Sequence, residues 1–154
     1  MILVDANLLI YAKLRDLREH AAARAWLDAR LNAAARVGLA WPSLLAFARI
    51  LTNPRILGRP LSSAAVWDQI ESWLALPNVW VPLPTDHHRE VLGELFARAR
   101  PTAGLVPDAH LAALAIEHGL TLCTTDGDFA RFPGLRCLNP LASASGGRGA
   151  DIRR

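Results

Sequence analysis

Five short apolar runs, ILV at residue 2, VGLA at 37, VWV at 79, LTLC at 120 and LRCL at 135, alternate along this chain with segments of helical length. Short strands alternating with helices imply right-handed crossovers onto a mainly parallel sheet covered on both faces. The expected fold is therefore α/β, with helices on either side of a short-stranded central sheet. A brief helix is expected over 7–13 and a firmer one over 19–31, where Ala23, Trp26, Leu27 and Leu31 recur at helical spacing. Pro42 suits the first turn of a helix running to about residue 52, which Asn53-Pro54 ends. Ser62 or Ser63 can cap the next, with Val66, Ile70, Trp73 and Leu74 as its apolar stripe and Trp67 grouped with that core. A fifth helix is expected from Thr85 or Asp86 to about Arg100. The sixth runs from Asp108 to His118, with Gly119 as its C-cap.

Composition narrows the class further. Apolar residues make up 52% and charged residues 20%, which excludes a disordered polymer. The longest uncharged apolar stretch, 37–48, is well short of the roughly 20 residues that span a bilayer. The start lacks the basic segment of a secretory leader, and two cysteines, Cys123 and Cys137, make no disulfide framework. These features lead us to expect a cytoplasmic protein with buried free thiols. Of the net charge of +3, Arg148, Arg153 and Arg154 against Asp151 supply +2, which leaves a nearly neutral body. Residues 1–140 are read as one domain and 141–154, rich in Ala, Ser, Gly and Arg, as a flexible basic tail.

The chemistry lies in the acids. In a parallel sheet, ligands bind beyond the carboxyl ends of the strands. Asp5 follows the first strand there, and Asp126 and Asp128 follow the fourth. Asp108 opens the helix that delivers that fourth strand. Four carboxylates from three separated segments would repel one another and raise each other's pKa. A divalent cation relieves that repulsion, and all-oxygen donors favour Mg²⁺ or Mn²⁺ over zinc. Singly, each acid also reads as a helix cap or turn former.

Val4-Asp5-Ala6-Asn7, the segment Val106-Pro107-Asp108-Ala109-His110-Leu111-Ala112-Ala113-Leu114-Ala115 and the block Thr124-Thr125-Asp126-Gly127-Asp128-Phe129 resemble PIN-domain ribonucleases, more narrowly the VapC toxins of bacterial toxin–antitoxin pairs. The likeness runs in order from residue 2 to about Pro140, including Thr52-Asn53-Pro54-Arg55 and Phe132-Pro133-Gly134-Leu135. It implies a PIN-like three-layer α/β/α sandwich and a Mg²⁺- or Mn²⁺-dependent endoribonuclease. The partners it implies are an RNA substrate, a second copy of the chain and a VapB-like antitoxin. By matching position, Asp5, Asp108 and Asp126 become metal ligands and catalytic acids, Asp128 an auxiliary catalytic acid, and Asn7 and Thr125 the polar residues that orient ligands or water. One position departs from the family: Ala46 stands where a glutamate is usual, three residues before Arg49. One versus two ions is therefore left open.

Lys13, Arg15, Arg49, Arg55 and Arg59 are the candidate phosphate contacts. Trp67, Ile70, Trp73 and Leu74 are read as core, with a partly exposed version able to accept a dimer mate or an antitoxin helix. His110, two residues after Asp108, leaves the helix 160–200° away from it and is read as packing or supporting the site; His87 and His88 are read as surface residues. A phosphatase acting through an aspartyl-phosphate would want a second acid where Asn7 stands. The stronger alternative is a catalytically weakened PIN domain that binds RNA or an antitoxin, and Ala46 is its support.

Overall fold

The computed structural model describes residues 1–142 of the 154-residue chain. Its element order is β1 (Ile2–Val4), α1 (Ala6–Lys13), α2 (His20–Leu31), β2 (Val37–Gly38), α3 (Trp41–Leu51), α4 (Ser63–Leu74), β3 (Val79–Trp80), α5 (His88–Ala99), α6 (Leu105–Glu117), β4 (Thr121–Cys123), a 3₁₀ turn over Gly127–Arg131 and β5 (Arg136–Leu138). The five strands form one parallel sheet in the order β3-β2-β1-β4-β5.

Strand alternation sorts the core into two halves. Val4, Val37, Leu39 and Cys123 join Leu8, Leu9, Leu27, Leu44, Phe47, Ile70 and Trp73 on the face covered by α1–α4. Leu3 and Leu122, one residue out of phase, join Leu95, Leu111, Leu114, Phe129 and Phe132 on the face covered by α5, α6 and the 3₁₀ turn. The result is the expected α/β/α sandwich. Gly38 is required at the β2 edge of β1, because an added Cβ would lie 2.9 Å from Pro82 Cγ and 3.2 Å from the Ile2 carbonyl oxygen.

Several boundaries differ from the sequence expectation for local reasons. Helix α6 begins at Leu105, so Asp108 lies within its first turn and does not open the helix. Pro107 is accommodated there because the first four amide positions of a helix have no internal acceptor to satisfy. Helix α5 begins at His88, not at Thr85 or Asp86; the Thr85 amide donates instead to Glu117 Oε1 at 3.1 Å. Gly119, at φ +64°, follows the α6 cap residue His118 and takes the left-handed turn that releases the chain into β4.

Trp67 is exposed and stacks on Trp41, while its expected companions Ile70 and Trp73 are core residues. Cys123 is buried, but Cys137 on the edge strand is exposed. Register pairs Cys137 with Leu122, so the two thiols leave opposite faces of the sheet. Leu141, assigned to the tail, packs against the α1–α4 core; residues 143–154 of that segment lie outside the described residues. Among the described residues no helix is long and apolar enough to cross a membrane.

Candidate active site

The strand order reverses between β1 and β4: β2 and β3 extend the sheet to one side of β1, and β4 and β5 to the other. Such a reversal opens a crevice at the carboxyl ends of the two central strands. Asp5 leaves β1 there in extended conformation, and its amide continues the sheet by donating to the Cys123 carbonyl at 3.0 Å. Its side chain then caps α1, with Oδ1 accepting from the Ala6 amide at 2.7 Å.

The other oxygen of Asp5 is held by Thr124. This hydroxyl, 3% exposed, donates to Asp5 Oδ2 at 2.7 Å and accepts from Asn7 Nδ2 at 3.1 Å and the Asp126 amide at 3.0 Å. One buried hydroxyl thus ties the end of β1, the first turn of α1 and the loop after β4 together. The residue expected to orient ligands was Thr125. The structure puts that contact one residue earlier and leaves Thr125 half-buried on a groove of about 590 Å³ with Tyr11, Arg18 and Asn139. Nothing in a Thr-Thr pair distinguishes its members until β4 ends; only the alternation past Cys123, which turns one hydroxyl inward, could have separated them.

Asp126 caps the 3₁₀ turn by accepting the Asp128 amide at 2.8 Å, and Asp128 pairs with Arg131 at 3.2 Å on the surface. The electrostatics show these carboxylates acting on one another. Burial is the largest influence raising the pKa of Asp5; the Thr124 and Ala6 hydrogen bonds oppose it, and the Asp126 charge adds to it. Asp108 is pushed up to about 6, first by burial and then by the charges of Asp5, Asp126 and Asp128, with Arg131 opposing. The acids singled out in the sequence therefore lie near enough for the charges of Asp5, Asp126 and Asp128 to act on Asp108.

They do not form a closed cage. Among the described residues, no three His, Cys, Asp or Glu side chains gather tightly enough to be a ready-made ion site. Asp5, Asp126 and Asp128 each accept hydrogen bonds from neighbouring donors. What remains fits a hard cation that keeps much of its hydration: the donors are all oxygen, and carboxylate charge is concentrated without an equal number of cations. One further acceptor waits in the same network, because Asn7 Oδ1 is buried without a partner among the described residues while its amide nitrogen is committed to Thr124. Ala46 on α3 contributes no donor to it.

The expected phosphate contacts separate into two groups. Lys13 is committed to structure, its Nζ donating to Gln69 Oε1 at 2.8 Å and tying α1 to α4. Arg15, Arg49, Arg55 and Arg59 are exposed, and among the described residues none is in an ion pair. His88 also departs from its expected surface role. Its Nδ1 lies 3.0 Å from Glu117 Oε2 and its Nε2 lies 2.9 Å from His110 Nδ1, which joins α5 to α6 through a carboxylate that is 1% exposed. His110 packs as expected, and burial and the His88 charge lower its pKa against an opposing Glu117.

A five-stranded parallel sheet bearing acids at its central crevice is the arrangement of a known family, and the PIN domain model matches residues 2–135. The chain belongs to the PIN-domain family. Within that family it is similar to the VapC ribonucleases of Mycobacterium tuberculosis. It is 42% identical to ribonuclease VapC37 over 142 residues, covering 92% of this chain and 99% of that protein. It is 36% identical to ribonuclease VapC33 over 141 residues, covering 92% and 99%. Among solved structures, FitAcB from Neisseria gonorrhoeae superposes with a TM-score of 0.66 at 22% identity, over 92% of this chain and 99% of that one, which is a likeness of fold.

Proposed function

We propose that this protein is a divalent-metal-dependent endoribonuclease, the toxin of a toxin–antitoxin pair, that hydrolyses RNA phosphodiester bonds. The observation that carries this reading is that Asp5 leaves β1 at the switch point with β4, and that burial followed by the charges of Asp5, Asp126 and Asp128 raises Asp108 to about 6. Its kinship with ribonucleases VapC37 and VapC33 supports the substrate class and the toxin role.

Asp5, Asp108 and Asp126 would hold Mg²⁺ or Mn²⁺, in large part through water. The ion supplies Lewis acidity that offsets negative charge at a scissile phosphate. Asp5 is fixed for this task by the Thr124 hydroxyl and the Ala6 amide. Asp126 or Asp128, both exposed, would orient the attacking water or accept its proton at a carboxylate oxygen. Asn7 holds Thr124 in place, and Thr125 lines the adjoining groove. Arg15, Arg49, Arg55 and Arg59 supply positive charge toward the RNA backbone. A VapB-like antitoxin, a homodimer and a cytoplasmic setting belong to the same reading.

The test is cleavage of total RNA by protein purified free of partners. Mg²⁺ or Mn²⁺ is expected to support cleavage, EDTA to stop it, and Asp5→Asn to abolish it while circular dichroism stays unchanged. Full activity of Asp5→Asn, or in EDTA, overturns the reading. Ala46 favours a second reading, a weakened PIN domain that binds RNA or antitoxin without cutting; binding with no metal-stimulated cleavage would select it.

A further inference from the structure

The α3–α4 face carries an aromatic pair that the carboxylate chemistry does not use. Trp41 and Trp67 are 36% and 48% exposed, and their rings lie parallel within 4° at a centroid separation of 6.4 Å. This is an offset stack turned toward solvent. Leu45, 59% exposed, lies one turn beyond Trp41, and Arg49 one turn beyond Leu45, so the three form a single stripe along α3 about 12 Å long. Trp67 and Arg49 also line a groove of about 340 Å³ with Thr52 and Ser63.

The platform starts at the catalytic edge. Register pairs Leu3 with Gly38. Asp5 lies two residues beyond Leu3 and Trp41 three beyond Gly38, so both follow the carboxyl ends of neighbouring strands.

We infer that the Trp41–Trp67 pair is a stacking platform for unpaired bases of the RNA substrate, with Arg49 taking a neighbouring phosphate. The inference rests on the ribonuclease reading above and assigns that site its contact with single-stranded substrate. Base–aromatic stacking tolerates any sequence because every base has a π-face, and a guanidinium beside the aromatic tracks the backbone. Charge favours RNA over an apolar protein surface as the occupant. Arg49, Arg55 and Arg59 have no carboxylate partner among the described residues, and an apolar helix packed here would strip water from Arg49 without supplying a counter-charge. Phosphates supply it. Asp68 leaves α4 about 100° around from Trp67, and Glu71, one turn further along, bounds the platform.

The experiment measures binding of a fluorescein-labelled oligouridine of about 12 nucleotides in EDTA, where cleavage does not intervene. Trp67→Leu and Trp41→Leu keep an apolar side chain and remove the π-face; Trp67→Phe restores one. Each leucine variant is expected to bind roughly tenfold to a hundredfold more weakly. Trp67→Phe is expected to stay within a few-fold of the parent, and indole emission of the parent to be quenched on binding. Unchanged affinity in folded leucine variants, or a parent that does not bind the oligomer, overturns the inference. So does a change in sedimentation coefficient of Trp67→Leu, which would assign the face to a second copy. Metal-stimulated cleavage by the parent is scored separately, so the platform can fail while the nuclease reading stands, and the reverse.

Discussion

Replacing Thr124 by valine keeps the shape of the side chain and deletes its hydroxyl. Three hydrogen bonds go with it: the one donated to Asp5 Oδ2 and those accepted from Asn7 Nδ2 and the Asp126 amide. The bond to a carboxylate is worth about 1.5–3 kcal/mol, and a buried donor or acceptor left without a partner costs about 1–3 kcal/mol. Asn7 and Asp126 sit near water that can replace part of the loss, so a net destabilisation of about 2–4 kcal/mol is expected. For a chain of this size each kcal/mol lowers Tm by about 2–4 °C, so the midpoint should fall by about 5–15 °C. Thr124→Ser retains the hydroxyl and should lose well under half as much. The assay is thermal unfolding followed by circular dichroism, run in EDTA so that ion binding does not contribute. The same change removes the strongest influence holding the Asp5 pKa down, so metal-stimulated cleavage by Thr124→Val should need a higher pH. A Thr124→Val midpoint within 2 °C of the parent would refute the claim that this hydroxyl ties the site together.

Asp108 gives a pH prediction with a definite sign. Its folded pKa, about 6, lies above the ordinary carboxylate value of 3.8, so the folded protein binds this proton more tightly than the unfolded chain does. The resulting stabilisation is complete below about 3.8 and is lost as pH rises through about 6. Asp108→Asn should therefore flatten the dependence of the metal-free denaturation midpoint between pH 5 and 7.5; an unaltered slope would contradict the assignment. His88→Leu leaves Glu117 buried with the Thr85 amide as its remaining close donor and should cost about 3 kcal/mol in chemical denaturation. In Glu117→Gln the charge is gone as well, and the loss should be smaller. Gly38→Ala forces a Cβ against Pro82 and the Ile2 carbonyl, an overpacking cost of about 1–3 kcal/mol readable from the urea midpoint.

The alternation of short apolar runs with helical segments was sufficient to read the α/β/α layering, because periodicity and burial are properties of consecutive residues. The four acids were legible for a related reason: each follows a strand or stands in a helix's first turn, and parallel topology brings those ends to one edge. Only the folded chain decided which polar groups meet. Thr124 and Asp5 are 119 positions apart, His88 and Glu117 are 29 apart, and Lys13 reaches Gln69 across 56. The exposure of Trp67 likewise depends on where α3 lies beside α4. Such pairings arise from the packing angles of whole elements, and hydrogen bonds demand tenths of an ångström that no local pattern encodes.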